Sequence, residues 1–443
     1  ALVFGTGILG SNPSAPANFM VNFLDKIFSR SQNLNYIINN ISNLTNQTSA
    51  KKIFEAINSY SETSEVRYVG GCVRKIIMRE VVDDIDLATN LNPIEICDAL
   101  RKKEINFYET GVEHGTITAI IDKQKFEITS LRKDLSTDGR HAKVAFSRDW
   151  KEDAARRDFS INSVYSDKYG NLFDPYNGKQ DLEDGFISFI GDPEVRIKED
   201  YLRIIRYIRF FTIYSKNKHN PKVIRTIKKN IGGISKLSSE RLFGELVKLF
   251  NSNKFLKLFE DKDSLELIEI IFPQLKKIDR LKKLNSFAFK KINEIDFIFL
   301  LSLMVIDGTD NIEYFFYRFN ISKKDQLRMK LIDTFFKDKK NIKNFNEKYF
   351  NKIFYFDGKQ AVLDIINFQI FISKKVEKNL IKIIETFKNK EAPVMPVTAR
   401  YLMSKYNLPE GRTLGKKLKL LEEFWVSNNF KINEKQITKI IEN

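Results

Sequence analysis

Apolar positions along this chain follow two rhythms. Between 66 and 190 they alternate with polar ones over short runs, the period of half-buried strands: 67–69, 85–88, 116–121, 125–131, 143–146, 163–165 and 172–173. One helical segment, 93–103, interrupts them. Upstream, Phe23, Ile27 and Phe28 stand at helical spacing, and a second helical segment surrounds 53–57. From about Ile197 onward the spacing is helical almost everywhere, with few Gly or Pro. Phe, Ile and Leu supply the core faces there, and Lys lines the others. The pattern predicts a mixed α/β domain followed by an all-helical region, an α+β chain without internal repeat.

Charge sharpens this division. The 443 residues carry a net charge of +17, but 1–210 hold 28 basic and 30 acidic residues, whereas 211–443 hold 46 and 27. The positive field belongs to the helical part and suits a polyanion such as RNA. A Lys-rich composition on a solvated helical surface would give the same count. Two cysteines, Cys72 and Cys97, argue against a disulfide framework and fit a reducing compartment, the cytoplasm. Three scattered histidines make no zinc cluster, and no apolar run reaches the ~18 residues that span a bilayer. Residues 1–19 contain no charge and are rich in Gly, Ser, Pro and Ala. They read as a disordered leader or cloning remnant ahead of a start at Met20.

The candidate chemistry lies in the alternating region. Gly70-Gly71-Cys72-Val73-Arg74 is followed ten residues later by Asp84-Ile85-Asp86. A glycine pair lets the backbone approach a triphosphate, with Arg74 beside it. Asp84 and Asp86 on one strand would point to one face and can hold Mg²⁺ for phosphoryl transfer. Asp83 is out of phase. Glu127, on a neighbouring strand, is either a third carboxylate or a strand-edge residue. Alone, the glycine pair reads as a turn and the acid pair as a solvated strand end.

Three further motifs change that: Arg156-Arg157-Asp158-Phe159-Ser160-Ile161-Asn162, Glu199-Asp200-Tyr201-Leu202-Arg203-Ile204-Ile205-Arg206, and Ser239-Glu240-Arg241 with Glu245. In this order the set resembles the class II tRNA nucleotidyltransferases, the CCA-adding enzymes and bacterial poly(A) polymerases, densely over about 66–250. The resemblance implies a polymerase-β-type head over 20–190, a helical neck over 191–256 and a helical, tRNA-binding body and tail over 257–443. It implies addition of C, C and A to the tRNA 3′ end from CTP and ATP, with no membrane and no obligate protein partner. A poly(A) polymerase, a C-only or A-only enzyme, and a non-catalytic RNA-binding protein are the alternatives.

Residue by residue, the resemblance gives Arg157 to phosphate and Asp158 and Asn162 to ribose, with Phe159 and Ile161 in the core. Asp200 and Arg203 would form a protein template. Carboxylate and guanidinium together match the pairing edges of cytosine and adenine, and the carboxylate repels O4 of uracil and O6 of guanine. A helix salt bridge is the plainer reading of that pair. Arg206 and Arg209 match positions that contact nucleotide or phosphate. Thr137-Asp138-Gly139-Arg140-His141 resembles the flexible loop of CCA-adding members, or is a plain turn. Ser239 and Glu240 read as an N-cap and first-turn acid, and 409–417 as a loop entering a helix. One position departs from the pattern Gly-Gly-x-Val-Arg-Asp: Lys75 stands where the family has Asp.

Overall fold

The computed structural model describes residues 33–138, 141–337 and 345–442. The helix expected around 23–28, the leader expected over 1–19 and the pair Gly139 and Arg140 lie outside them. The described chain forms two compact units, one ending at Leu237 and one beginning at Ser238.

The first unit opens with helices α1 (33–47) and α2 (Ala50–Asn58). There follow β1 (Val66–Val69), α3 (Gly71–Ile77), β2 (Asp86–Thr89), α4 (Pro93–Lys102), β3 (Asn106–Gly111), β4 (Thr116–Ile121) and β5 (Gln124–Ser130). A separate hairpin of β6 (Arg132–Asp138) and β7 (His141–Phe146) comes next, then α5 (Trp150–Arg156), β8 (Tyr165–Ser166) and β9 (Leu172–Phe173). The seven-stranded sheet has the order β3-β4-β5-β2-β1-β8-β9, and β2 and β5 run parallel while their neighbours pair antiparallel.

Alternation along β2 gives the sheet two faces. Leu87 points into the main core with Phe54, Tyr68, Val73, Ile96, Ile117, Phe126 and Ile128, under α1 to α4. Ala88 points the other way and packs with Val69, Leu131, Ala154 and Tyr165. Asp86 shares the face of Ala88. The core helix α4 begins with a reciprocal cap: the Asn92 side chain accepts from Glu95 N at 3.0 Å, and Glu95 accepts from Asn92 N at 2.8 Å.

The unit closes with α6 (Gly178–Asp184), α7 (Pro193–Glu199), α8 (Leu202–Tyr214) and α9 (Pro221–Asn230). Helix α8 is buried on nearly every side. Its Tyr207 and Phe210 join Phe159 and Phe189 in one aromatic cluster, with Phe159–Phe189 at 4.7 Å and Phe159–Phe210 at 5.6 Å. Phe159 and Ile161 are fully buried, as expected of core positions.

The second unit is helical throughout its described residues. Phenylalanines fill it, among them Phe243, Phe315 and Phe319 in mutual contact. Arg328 bridges the N-cap residue Asp296 and the buried Asp364 at 2.6–2.9 Å. The helix read from Ser239 does start there, but Ser238 is its N-cap, one residue earlier than the sequence reading. The helix over Arg412–Ser427 follows Gly411, matching the expected loop entry. No described helix is long and apolar enough to cross a membrane.

Sequence reading missed β3 and β6, and it placed Asp84 on a strand. The strand starts at Asp86, and Asp84 lies in the irregular segment before it. The reason is pairing: β2 meets β5 only from Asp86 onward. Strand β6 pairs with β7 outside the main sheet, and its sequence, with Leu135 as the one apolar residue over 132–138, has no apolar alternation to read.

Gly178 fixes the segment 160–164 against α6. A Cβ there would sit 2.0 Å from Ser160 O and 2.8 Å from a Val164 methyl. Backbone cannot yield as a side-chain end can. Gly178→Ala is expected to destabilise the protein by about 2 kcal/mol or more, read as a lower denaturation midpoint in urea. An unchanged midpoint would show that the close approach is not maintained.

Candidate active site

The site grows from the turn after β1. Gly70 has φ +65° and ψ −115°, a conformation open to glycine, and it starts α3 immediately. A Cβ on Gly70 would lie 3.7 Å from Arg157 Nη1 and 3.9 Å from Asn162 O, and one on Gly71 would lie 3.8 Å from Asp86 Oδ2. The turn is therefore wrapped by three residues that the sequence singles out. Beneath it, the Cys72 thiol donates to Val69 O at 3.3 Å. Burial pushes that thiol up to about 11. Cys72 and Cys97 are both free and buried.

From Arg74 a chain of polar contacts runs to α8. Arg74 donates through Nη1 to Asn162 Oδ1. Asn162 Nδ2 donates to Asp158 Oδ1 at 2.8 Å. Asp158 Oδ2 accepts from Arg206 Nε at 2.6 Å. Burial opposes the Asp158 charge, yet Arg206 and the Asn162 amide hold its carboxyl at about 2. The guanidinium groups of Arg74, Arg206 and Arg209 lie over the Phe210 ring at 4.8, 5.6 and 4.0 Å. Arg74 Nε is buried and has no hydrogen-bond partner among the described residues. A buried donor of this kind calls for an acceptor from a ligand or water.

Asp153 was not singled out from the sequence. Its carboxylate is 1% exposed and receives Arg156 Nε at 2.9 Å, Arg157 Nη2 at 3.0 Å and Tyr165 Oη at 2.7 Å. Burial opposes its charge, and the two arginines hold it well below the usual carboxylate range. The signal was present: Asp153 and Arg156 stand at i and i+3 on α5, and Arg157 follows as its C-cap residue. Asp153 holds Nε and Nη2 of Arg157. Nη1 then lies beside Gly70.

The acidic edge lies on the same sheet face. Asp86 pairs in register with Glu127 across the parallel β2/β5 ladder. Burial raises the Asp86 carboxyl above its ordinary range, and Glu127 and Asp84 push it the same way, against Arg157 and Arg74. Because β5 lies inside the sheet, Glu127 is not on an edge strand, and it accepts from Lys125 Nζ at 2.6 Å. Among the described residues no group of three or more His, Cys, Asp or Glu is arranged to hold a metal unaided. Asp84 and Asp86, carboxylates that repel each other near the glycine turn, could hold a divalent cation that takes further ligands from elsewhere.

Asp200 lies outside the helix that carries Arg203, although Arg203 N donates to Asp200 O at 3.0 Å at the start of α8. Asp200 is extended, with φ −153° and ψ 106°, between α7 and α8, and its Oδ1 accepts from Leu202 N at 3.1 Å. Arg203 is buried and donates to Glu199 Oε2 at 2.5 Å and to Arg196 O at 2.9 Å. The guanidinium is held by α7, and Glu199, which opens the sequence motif without a role of its own there, is its carboxylate partner.

Two family descriptions match the chain: the poly A polymerase head domain over 66–188, and the probable RNA and SrmB-binding site of polymerase A over 220–279. The chain is 37% identical over 246 residues to the human mitochondrial CCA tRNA nucleotidyltransferase 1, covering 54% of this chain and 57% of that protein. It is 36% identical over 187 residues to the CCA-adding enzyme of Lactobacillus helveticus, covering 42% and 46%. These matches span about half the length of each relative. The fold is that of the Bacillus stearothermophilus CCA-adding enzyme solved with CTP, at TM-score 0.68 and 20% identity over 88% of this chain and 95% of that one. A tRNA nucleotidyltransferase solved with a primer tRNA and an ATP analogue superposes at TM-score 0.59 and 20% identity, over 76% and 98%. Gly70, Gly71, Arg157, Asn162 and Asp86 thus meet within the stretch that matches the poly A polymerase head domain, and the chain is similar to CCA-adding tRNA nucleotidyltransferases.

Proposed function

We propose that this protein adds C, C and A to the 3′ end of tRNA, using CTP and ATP and no nucleic-acid template. The observation that carries the reading is the meeting of Gly70, Gly71, Arg157, Asn162 and Asp86 around one turn. Asp84 and Asp86 would hold Mg²⁺, which when bound lowers the charge on the triphosphate and favours the 3′-hydroxyl as nucleophile. Arg74 and Arg157 bind phosphate oxygens, and the orphaned Arg74 Nε suits such an acceptor. Asp158 and Asn162 orient the ribose while remaining hydrogen-bonded to each other and to arginine. Asp200 and Arg203 read the base edge, with Glu199 fixing the guanidinium plane. Arg206 and Arg209, on the same aromatic ring as Arg74, complete the cationic wall.

The basic second half supplies affinity for the tRNA backbone. The cytoplasm suits the two buried free thiols. Incorporation of labelled CTP and ATP onto tRNA lacking its 3′ end tests the whole reading. Ordered C, C, A products are expected. An A tail would indicate the poly(A) branch, and no product would leave RNA binding alone.

Three outcomes follow from the separate roles. Asp86→Asn, or Asp84→Asn, should lower incorporation of both nucleotides on the order of 10²–10³-fold while tRNA binding by filter retention stays near normal. Turnover close to wild type in either variant would remove that residue from the metal site.

Asp200→Asn should relax base choice, because the repulsion toward O4 and O6 disappears. Discrimination against UTP and GTP should fall about tenfold or more in single-addition assays with each triphosphate. Unchanged discrimination would reduce Asp200 to its observed contact with the start of α8.

Binding of tRNA should weaken on the order of tenfold or more between roughly 50 and 200 mM salt, measured by fluorescence anisotropy. A dissociation constant indifferent to salt would show that the excess charge of 211–443 is solvated surface only.

A further inference from the structure

Lys75 departs from the family's Gly-Gly-x-Val-Arg-Asp pattern and reverses a charge next to the nucleotide turn. The structure shows where that charge goes. Lys75 lies on α3 and pairs through Nζ with Asp83 Oδ1. The same Asp83 oxygen accepts the backbone N–H of Asp84 at 3.0 Å. One carboxylate oxygen thus links the helix that starts at the glycine turn to the main chain of Asp84. Asp84 needs such support, because the β2/β5 ladder begins only at Asp86. Between α3 and β2 the chain is irregular over 78–85 and passes through a left-handed residue, Arg79.

We infer that Lys75 is a positioning residue, and that its ion pair with Asp83 sets Asp84 beside Asp86 to form the metal-holding pair. The inference rests on the proposed role of Asp84 and Asp86. It explains how this chain tolerates a lysine where relatives in the family pattern carry an aspartate. Asp83, out of phase with the acid pair, becomes the counter-charge. Restoring the family's residue alone should then be harmful, since two carboxylates would face each other where an ion pair stood.

The test uses the full chain with Lys75→Asp, Asp83→Lys and the charge-exchanged double variant. Mn²⁺ binding in the presence of CTP is read from loss of the free-ion electron paramagnetic resonance signal. The metal concentration for half-maximal CTP incorporation and the thermal midpoint are measured beside it. Lys75→Asp should weaken Mn²⁺ binding about three- to tenfold, with the KM for CTP at saturating metal little changed. The double variant should recover most of the loss. Both side chains are partly exposed, Lys75 at 25% and Asp83 at 67%, so the thermal midpoint should move little.

Wild-type Mn²⁺ binding by Lys75→Asp would overturn the inference. So would a double variant no better than the single ones. Asp86→Asn binding Mn²⁺ as the wild type does would instead overturn the metal assignment itself, and the positioning role with it. The two failures are therefore distinguishable.

Discussion

The head depends on the burial of charge beside the glycine turn. Arg74, Asp158 and Asp153 are withdrawn from water, and a buried unpaired charge is costly. Asp158 is matched to Arg206 and Asp153 to two arginines and a tyrosine, while Arg74 donates to Asn162 and lies over the Phe210 ring. These contacts join α3, the 158–162 segment, α5 and α8, four pieces that the sheet hydrogen bonds alone would not hold together. Removing one partner would leave its counterpart uncompensated, so the arrangement holds as a unit or is lost as one.

Aromatic packing makes that network possible. Phe159, Phe189, Tyr207 and Phe210 fill the space beside the network. Phe210 also offers its face to three guanidinium groups. A weakly hydrated cation that stacks on a ring is easier to bury than an ammonium, which explains why arginine and not lysine occupies these positions. The lysines collect instead in the second half, where solvent reaches them.

Much of this was legible in the sequence. The helical region, the strands from β4 to β5 and the turn at Gly70 follow from local periodicity and glycine chemistry. The gathering of Arg74 with Asn162 and Asp86 does not, because 88 and 12 residues separate them and only sheet order brings them to one face. Asp153 stayed unmarked and Glu199 carried no role of its own, because each serves another side chain. A residue whose partner is a neighbouring arginine looks, in sequence, like any surface helix pair. Asp84 was placed on the strand because alternation was assumed to begin two residues too early. Strand pairing, not the Asp-x-Asp spacing, decides that boundary.

The chain from Arg74 to Arg206 also has a consequence for proton traffic. Arginine keeps its proton throughout the working range of an enzyme, asparagine has none to exchange, and the Asp158 carboxyl is held at about 2. No member can accept a proton and pass it on near neutrality, so this wall of the site is an insulator rather than a relay. Any proton released by chemistry beside this wall would have to leave through groups outside that chain of contacts, or through water.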